Sequence, residues 1–147
     1  MFPKVGNLIN VKYGRGLLSE LTQNLNNYLV VTDKIVFDKL KDQLKNNYKV
    51  YIVKDVEVET LKNDVVEFTD VEAVIGMGGG LAIDAGKWIA EHLNKKLHSV
   101  PTVLSVNAAF CYKSAMRVNN VVTYMGRIFP EAIYIDFDII KGAPKHL

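Results

Sequence analysis

Short apolar segments alternate with amphipathic segments along most of this 147-residue chain. Runs rich in Val, Ile, Leu and Tyr predict buried strands at residues 8–13, 28–32, 49–53 and 71–75. Apolar residues recur at helical spacing between these strands, at residues 17–25, 35–44 and 59–68. Such alternation is typical of a parallel sheet covered by helices on both faces. The pattern therefore predicts an α/β fold with a doubly wound, mostly parallel sheet.

The pattern changes after residue 102. One further strand of the sheet is predicted just before this point, at residues 98–100, and another near the end of the chain, at residues 132–136. Between them, residues 112–118 and 121–128 alternate apolar and polar positions, which predicts a β-hairpin that turns at Asn119 and Asn120. The predicted fold therefore includes a β-hairpin insertion near its C-terminal end.

A glycine-rich corner follows the strand at residues 71–75. Gly76, Gly78, Gly79 and Gly80 precede a segment whose apolar residues lie on one helix face. Because Gly78, Gly79 and Gly80 lack Cβ atoms, a ligand could approach their backbone to contact distance. The free N–H groups and the dipole of the following helix favour a phosphate there. The alternative is a plain tight turn, although four glycines exceed what a turn needs.

The corner does not follow either common phosphate-binding motif. Lys87 lies a full turn into the helix and no Ser or Thr follows it, which excludes the P-loop pattern. Gly76 and Gly78 are followed directly by two more glycines, which departs from the Gly-x-Gly-x-x-Gly dinucleotide fingerprint.

Four segments nevertheless resemble one known superfamily, in its order and at similar separations. They are Tyr-Gly-Arg-Gly at 13–16, GGGLAIDAGK at 78–87, Ser-Val-Pro-Thr at 99–102, and Pro-Glu-Ala-Ile-Tyr-Ile-Asp at 130–136 with Ala-Pro at 143–144. The resemblance is to the glycerol dehydrogenases, glycerol-1-phosphate dehydrogenases, iron-containing alcohol dehydrogenases and dehydroquinate synthases. It implies that residues 1–147 form a Rossmann-like NAD(P)-binding domain.

The resemblance also implies cofactor-binding residues, namely Asp33, Gly78, Gly79, Gly80, Asp84 and Thr102. Asp33 follows a strand, where a carboxylate can bind the adenosine ribose and repel a 2′-phosphate, which would favour NAD over NADP. Its alternative role is to cap the helix that starts at Lys34, and one carboxylate could do both. Thr102 resembles the family's cofactor-contacting threonine. Its alternative role is to cap the turn that follows it.

Asp84 has a different expected role. A carboxylate one turn into a helix that holds a diphosphate would repel it. We therefore expect Asp84 to pair with Lys87 at i,i+3, or to accept hydrogen bonds that hold neighbouring loop backbone.

Dehydrogenases of this superfamily use zinc or iron to polarise the substrate oxygen while hydride passes to nicotinamide. The resemblance places one metal ligand, an Asp, where this chain has Asn107, and further ligands, mainly His, in a downstream C-terminal helical domain that is absent from this sequence. A neutral carboxamide is a poorer ligand than a carboxylate. His92, His98 and His146 show no ligand spacing. We therefore expect no metal in this chain alone.

Composition narrows the class of protein. A net charge of +2 with lysines scattered among acids predicts no nucleic-acid partner. The chain has no apolar run of membrane-spanning length and no signal-peptide pattern at its start, so we expect no membrane association. A single cysteine, Cys111, suits a reducing compartment. The expected location is the cytoplasm.

Three hypotheses for function follow. The first is the nucleotide-binding half of a metal-dependent, NAD(P)-linked dehydrogenase of glycerol, glycerol 1-phosphate or a similar polyol or alcohol. Without its catalytic half, the chain would bind and not turn over, unless a separate helical metal-binding domain joined it. The second is a dehydroquinate synthase-like cyclase domain, which shares the Ile-Asp-Phe-Asp pattern at 135–138 but usually lacks a counterpart of Lys87. The third is a stand-alone nucleotide-binding or interaction module. The sequence leaves open whether the chain forms a homo-oligomer.

Overall fold

The structure, a computed structural model, describes residues 9–105 and 107–146. Within these residues the strands are β1 Val11–Gly14, β2 Tyr28–Thr32, β3 Tyr48–Ile52, β4 Ala73–Gly78, β5 Lys96–Pro101, β6 Ser114–Val118, β7 Val121–Met125 and β8 Ala132–Asp136. The helices are α1 Leu17–Gln23, α2 Lys34–Leu40, α3 Val58–Asp64, α4 Gly80–Leu93 and α5 Phe137–Lys141. Short 3-10 helices lie at Lys41–Gln43, Val65–Phe68 and Ala108–Phe110.

Six strands form one parallel sheet in the order β1-β8-β5-β4-β2-β3. Every residue of β2, β4 and β8 is buried. These strands are buried because helices cover both faces of the sheet, which explains their nearly continuous apolar sequences. The predicted parallel sheet is confirmed.

The two faces of the sheet carry separate cores. Successive side chains of a strand point to opposite faces, so Leu29 and Val31 pack with α3 and α4. Tyr28 and Val30 pack with α1, α2 and α5 on the other face. The sheet is therefore doubly wound, as the alternating pattern predicted.

Helix α4 packs closely on β4 through a pair of glycines. A Cβ added to Gly86 would lie 2.8 Å from Cα of Gly76, a distance that real Cβ atoms do not adopt against backbone. Both residues are buried. Gly76 therefore serves the contact between helix and strand rather than the approach of a ligand. The sequence pattern grouped Gly76 with the corner and did not single out Gly86.

The β6–β7 hairpin is confirmed, with Val118 paired to Val121. Asn119 and Asn120 turn it at φ values of 51° and 65°, a left-handed conformation that Asn tolerates better than most residues. Met116 is fully buried against the α3 and α4 side of the sheet. The hairpin therefore covers the same face as these two helices.

Some element boundaries differ from the predictions. Strand β1 starts at Val11, and Leu8, where we predicted its start, lies outside the described residues. The helix predicted at 35–44 ends at Leu40, and the one predicted at 59–68 ends at Asp64, each continuing as a 3-10 helix. Apolar spacing does not distinguish these two helix types over a single turn.

Helix α5 was not predicted, because a buried carboxylate fixes its start. Asp136 is 1% exposed, and its Oδ1 accepts the N–H of Asp138 at 3.0 Å. Its Oδ2 accepts the N–H of Leu17, at the start of α1, at 2.8 Å. One side chain thus joins the first described strand-to-helix turn to the last one.

None of the helices in residues 9–105 and 107–146 is long and apolar enough to cross a membrane.

Candidate functional site

The candidate site lies where the winding of the sheet reverses. Strands β2 and β4 are neighbours, but the chain after β2 leads to β3 at one edge and the chain after β4 leads to β5 on the other side. The helices that follow them, α2 and α4, pack on opposite faces. Such a reversal leaves a crevice beyond the carboxyl ends of the two strands, where ligands of open α/β sheets bind.

A cleft of about 720 Å³ occupies this crevice and brings together Asp33, Gly79 and Thr102. Its lining also includes residues of α2 and of the 138–144 segment, and Val103 beside Thr102. The three predicted residues come from the ends of three adjacent strands, β2, β4 and β5. The cleft is large enough for a ligand of nucleotide size.

Gly78 joins these strand ends. Its φ of +147° is one that residues with a Cβ rarely adopt, and an added Cβ would lie 2.8 Å from Cβ of Ala82. The same Cβ position is 3.5 Å from Oδ2 of Asp33, so the carboxylate lies directly beside the corner. The carbonyl of Gly78 accepts the N–H of Thr102 at 3.0 Å. Gly78 is therefore hydrogen bonded to Thr102 and lies next to Asp33.

The N-terminus of α4 is open beside Gly79. The first bond of the helix runs from the N–H of Ile83 to the carbonyl of Gly79 at 3.0 Å, so the N–H groups of Gly80 and the next two residues precede the intrahelical ladder. No side chain in the described part of the chain caps this end. A Cβ at Gly79 would meet a single described atom within 4 Å, Cγ2 of Val103 at 3.9 Å. The corner thus combines access, N–H donors and the positive end of a helix dipole.

Asp33 caps α2, as one of its two expected roles required. Its Oδ1 accepts the N–H of Val36 at 2.9 Å. Its Oδ2 lies beside Gly78 at the edge of the cleft. The cap uses one oxygen, which leaves the other for hydrogen bonds from a ligand. Contact with a ribose remains a prediction.

Asp84 and Lys87 form the expected i,i+3 ion pair, and the pair is buried. The distance from Lys87 Nζ to Asp84 Oδ1 is 2.9 Å, and the side chains are 1% and 12% exposed. Asp84 is absent from the residues that line the cleft. Any effect of Asp84 on a bound ligand would therefore be indirect, through Lys87.

Lys87 has three further acceptors that the sequence did not indicate. Its ammonium donates to the main-chain carbonyls of Ala108, Cys111 and Lys113 at 2.8, 3.2 and 2.6 Å. Main-chain acceptors leave no mark on a sequence pattern. The available signal was a lysine within an otherwise apolar helix segment, which buries a charge only when partners satisfy it.

Asn107 is the residue at which the resemblance placed a metal ligand. It is exposed and precedes the Ala108–Phe110 turn. Residues 9–105 and 107–146 hold no group of three or more His, Cys, Asp or Glu residues that could bind a metal ion. His98 is instead hydrogen bonded to the Tyr134 hydroxyl at 3.1 Å, and His92 stacks on Trp88. The described side chains therefore do not fit a zinc or iron site.

Comparison with known proteins gives the same family as the sequence motifs. The family model described as iron-containing alcohol dehydrogenase matches residues 10–144. A glycerol-1-phosphate dehydrogenase [NAD(P)+] of Archaeoglobus fulgidus is 29% identical, over 94% of this chain and 43% of its own length. The chain thus spans about two fifths of the length of that curated relative.

Solved structures show the same fold. Glycerol dehydrogenase from Schizosaccharomyces pombe matches with a TM-score of 0.78 at 20% identity, over 94% of this chain and 40% of that one. Sulfoacetaldehyde reductase from Bifidobacterium kashiwanohense, in complex with NAD+, matches with a TM-score of 0.79 at 16% identity, over 98% of this chain and 48% of that one. With the family model covering nearly all described residues, the chain belongs to the iron-containing alcohol dehydrogenase family.

Proposed function

We propose that this chain binds a nicotinamide dinucleotide in the cleft between α2 and the 138–144 segment. The observation that carries the proposal is the open glycine corner at the reversal point, with Asp33 and Thr102 next to Gly78 at the same cleft. The α4 N–H groups are suited to hold the diphosphate. Oδ2 of Asp33 is suited to accept hydrogen bonds from the adenosine ribose. The NAD+ complex of a protein with the same fold supports this assignment.

We further propose that the chain is the nucleotide-binding part of a dehydrogenase of glycerol 1-phosphate, glycerol or a similar polyol. The name of the Archaeoglobus fulgidus relative supports this substrate class. The bound nicotinamide would supply hydride transfer, while Asp33, Gly79 and Thr102 bind and orient the nucleotide. The described residues form no group of three or more His, Cys, Asp or Glu that could hold a metal ion, and we propose that a separately supplied helical domain contributes the metal ligands. Alone, this chain would bind nucleotide without turnover.

The test of nucleotide binding is calorimetric titration of the chain with NADH and NADPH. We expect saturable binding of both, with NADH preferred because the Asp33 carboxylate repels a 2′-phosphate. Absence of saturable binding of either nucleotide would contradict the proposal.

Asp33→Asn should shift the coenzyme preference towards NADPH by about tenfold, because the like-charge repulsion is removed. The amide oxygen of Asn can still cap α2, so the helix start is retained. Asp70→Asn is the matched control, since Asp70 and the lysine it pairs with at 2.8 Å, Lys49, both lie outside the cleft lining. Equal ratios of NADH to NADPH affinity in both variants would exclude Asp33 from coenzyme selection.

We expect the isolated chain to hold no zinc or iron, because Asn107 supplies only a neutral oxygen and the described residues form no metal-binding group. Metal analysis after extensive dialysis checks this expectation. Stoichiometric zinc or iron that survives dialysis would show that the chain has its own metal site.

A further inference from the structure

Two attachments fix the segment that leaves the cleft after β5. At its start, the N–H of Thr102 donates to the carbonyl of Gly78 at 3.0 Å. At its end, the carbonyls of Ala108, Cys111 and Lys113 accept hydrogen bonds from Lys87. The described residues between these attachments, 103–105 and 107, are called the cleft loop. Val103, at the start of the cleft loop, lines the cleft.

The second attachment depends on one buried cation. The Lys87 side chain is 1% exposed, and its ammonium lies within 3.2 Å of three carbonyls and the Asp84 carboxylate. A buried ammonium is tolerated only when its charge and its donors are satisfied. Lys87 and its four acceptors therefore hold one another in a single arrangement. Three of these acceptors belong to the segment that directly follows the cleft loop.

Lys87 also lies on the helix that carries the glycine corner. Its position two turns beyond Gly79 connects the end of the cleft loop rigidly to the N-terminus of α4. A dinucleotide with its adenosine ribose at Asp33 and its diphosphate at Gly79 would extend its other half past Thr102 and Val103, the remaining cleft residues at the end of β5. The cleft loop is the next segment of chain beyond them.

We propose that Lys87 is a positioning residue for the nicotinamide half of the nucleotide, because it holds the cleft loop in the shape that receives this half. The inference rests on the proposed nucleotide binding. Lys87 does not touch the nucleotide, since it is buried behind the loop and is absent from the cleft lining. It acts by keeping the binding-competent shape of the loop fully populated.

The test compares two probes, ADP and NADH, on Lys87→Met. ADP contains the half of the nucleotide assigned to Asp33 and Gly79, whereas NADH also reaches the cleft loop. We expect ADP affinity to change by less than about twofold and NADH affinity to fall by about five- to tenfold, since affinity falls with the population of the competent loop. Both affinities are measured by calorimetry.

Two further variants keep this test interpretable. Lys87→Met leaves the Asp84 carboxylate buried without its partner, so the double variant Asp84→Asn/Lys87→Met is measured in parallel. Lys49→Met is the matched control, because Lys49 forms an exposed ion pair with Asp70 at 2.8 Å outside the cleft. We expect the double variant to show the same selective loss of NADH affinity, and the control to match the unmodified chain.

Amide hydrogen exchange reports on the 3-10 turn that follows the cleft loop. The N–H of Phe110 donates to the main-chain carbonyl of Asn107 at 2.9 Å, and that of Cys111 donates to the carbonyl of Ala108 at 3.3 Å. Because Lys87 holds this turn, both amides should exchange faster in the Lys87 variants. The Glu72 amide, bonded to the Asn27 carbonyl at 2.9 Å, is the internal reference and should not change.

The outcomes separate the two proposals. If the unmodified chain binds ADP and NADH but the Lys87 variants weaken both equally, or neither, the positioning role is wrong and nucleotide binding stands. If the unmodified chain binds neither probe, the proposed function fails and the positioning role fails with it. A selective loss of NADH affinity, with faster exchange at Phe110 and Cys111, supports both.

Discussion

Replacing Gly79 with valine is expected to abolish nucleotide binding and leave the fold intact. The backbone at Gly79 has φ −83° and ψ −165°, an extended conformation that valine adopts readily. A Cβ there would meet Cγ2 of Val103 at 3.9 Å, an ordinary contact. The branched side chain would instead fill the space in front of the α4 N–H groups, where we place the diphosphate. We expect NADH affinity to fall at least about 100-fold, or about 2.7 kcal/mol.

Calorimetric titration with NADH and thermal unfolding check the two halves of this prediction. Gly79→Ala gives a graded comparison, because its single methyl group reaches less far into the cleft. Affinity in Gly79→Val equal to that of the unmodified chain would place the diphosphate elsewhere. Loss of the cooperative thermal transition would show that Gly79 serves the fold instead.

The same substitution at Gly86 is expected to have the opposite effect. A Cβ at this position would lie 2.8 Å from Cα of Gly76 and 3.4 Å from its nitrogen, and neither backbone atom can move without displacing β4. Valine adds two more carbons to that contact, so α4 must move away from the sheet. We expect a loss of at least about 3 kcal/mol in the free energy of unfolding, the upper range for overpacked cores.

Urea unfolding followed by circular dichroism measures this loss. Gly79→Val is the matched control for stability, since it makes the same chemical change seven residues earlier in the glycine-rich segment. Equal midpoints of unfolding in the two variants would mean that α4 does not depend on close contact with Gly76.

Local patterns were sufficient for most of the fold. Strands β2 and β8 have the predicted bounds. Their nearly continuous apolar runs are typical of strands that helices cover on both faces of a sheet. The hairpin was predictable because its turn depends on two adjacent residues, Asn119 and Asn120, whose type tolerates the left-handed backbone conformation. Helix α5 was not, since its start depends on the buried carboxylate of Asp136, whose other hydrogen bond reaches across the chain to Leu17.

The candidate site was also predictable in part, because the positions of the strands follow from local sequence patterns. Asp33, Gly79 and Thr102 each follow a predicted strand, and the carboxyl ends of parallel strands meet at one edge of the sheet. The separate roles of Gly76 and Gly78 were not predictable, because they depend on the distance from β4 to α4. The three carbonyls bound by Lys87 were equally inaccessible, since any residue type can supply them.

The pairing of β1 has a consequence for folding during translation. Within residues 9–105 and 107–146, β1 pairs with β8 alone, from Val11 with Ile133 to Gly14 with Asp136. The ribosome therefore releases β1 long before its partner is synthesised, and β1 can join the sheet only after nearly all other strands exist. Until then the nascent sheet keeps one side of β5 unpaired, which makes that strand a natural point of contact for a chaperone.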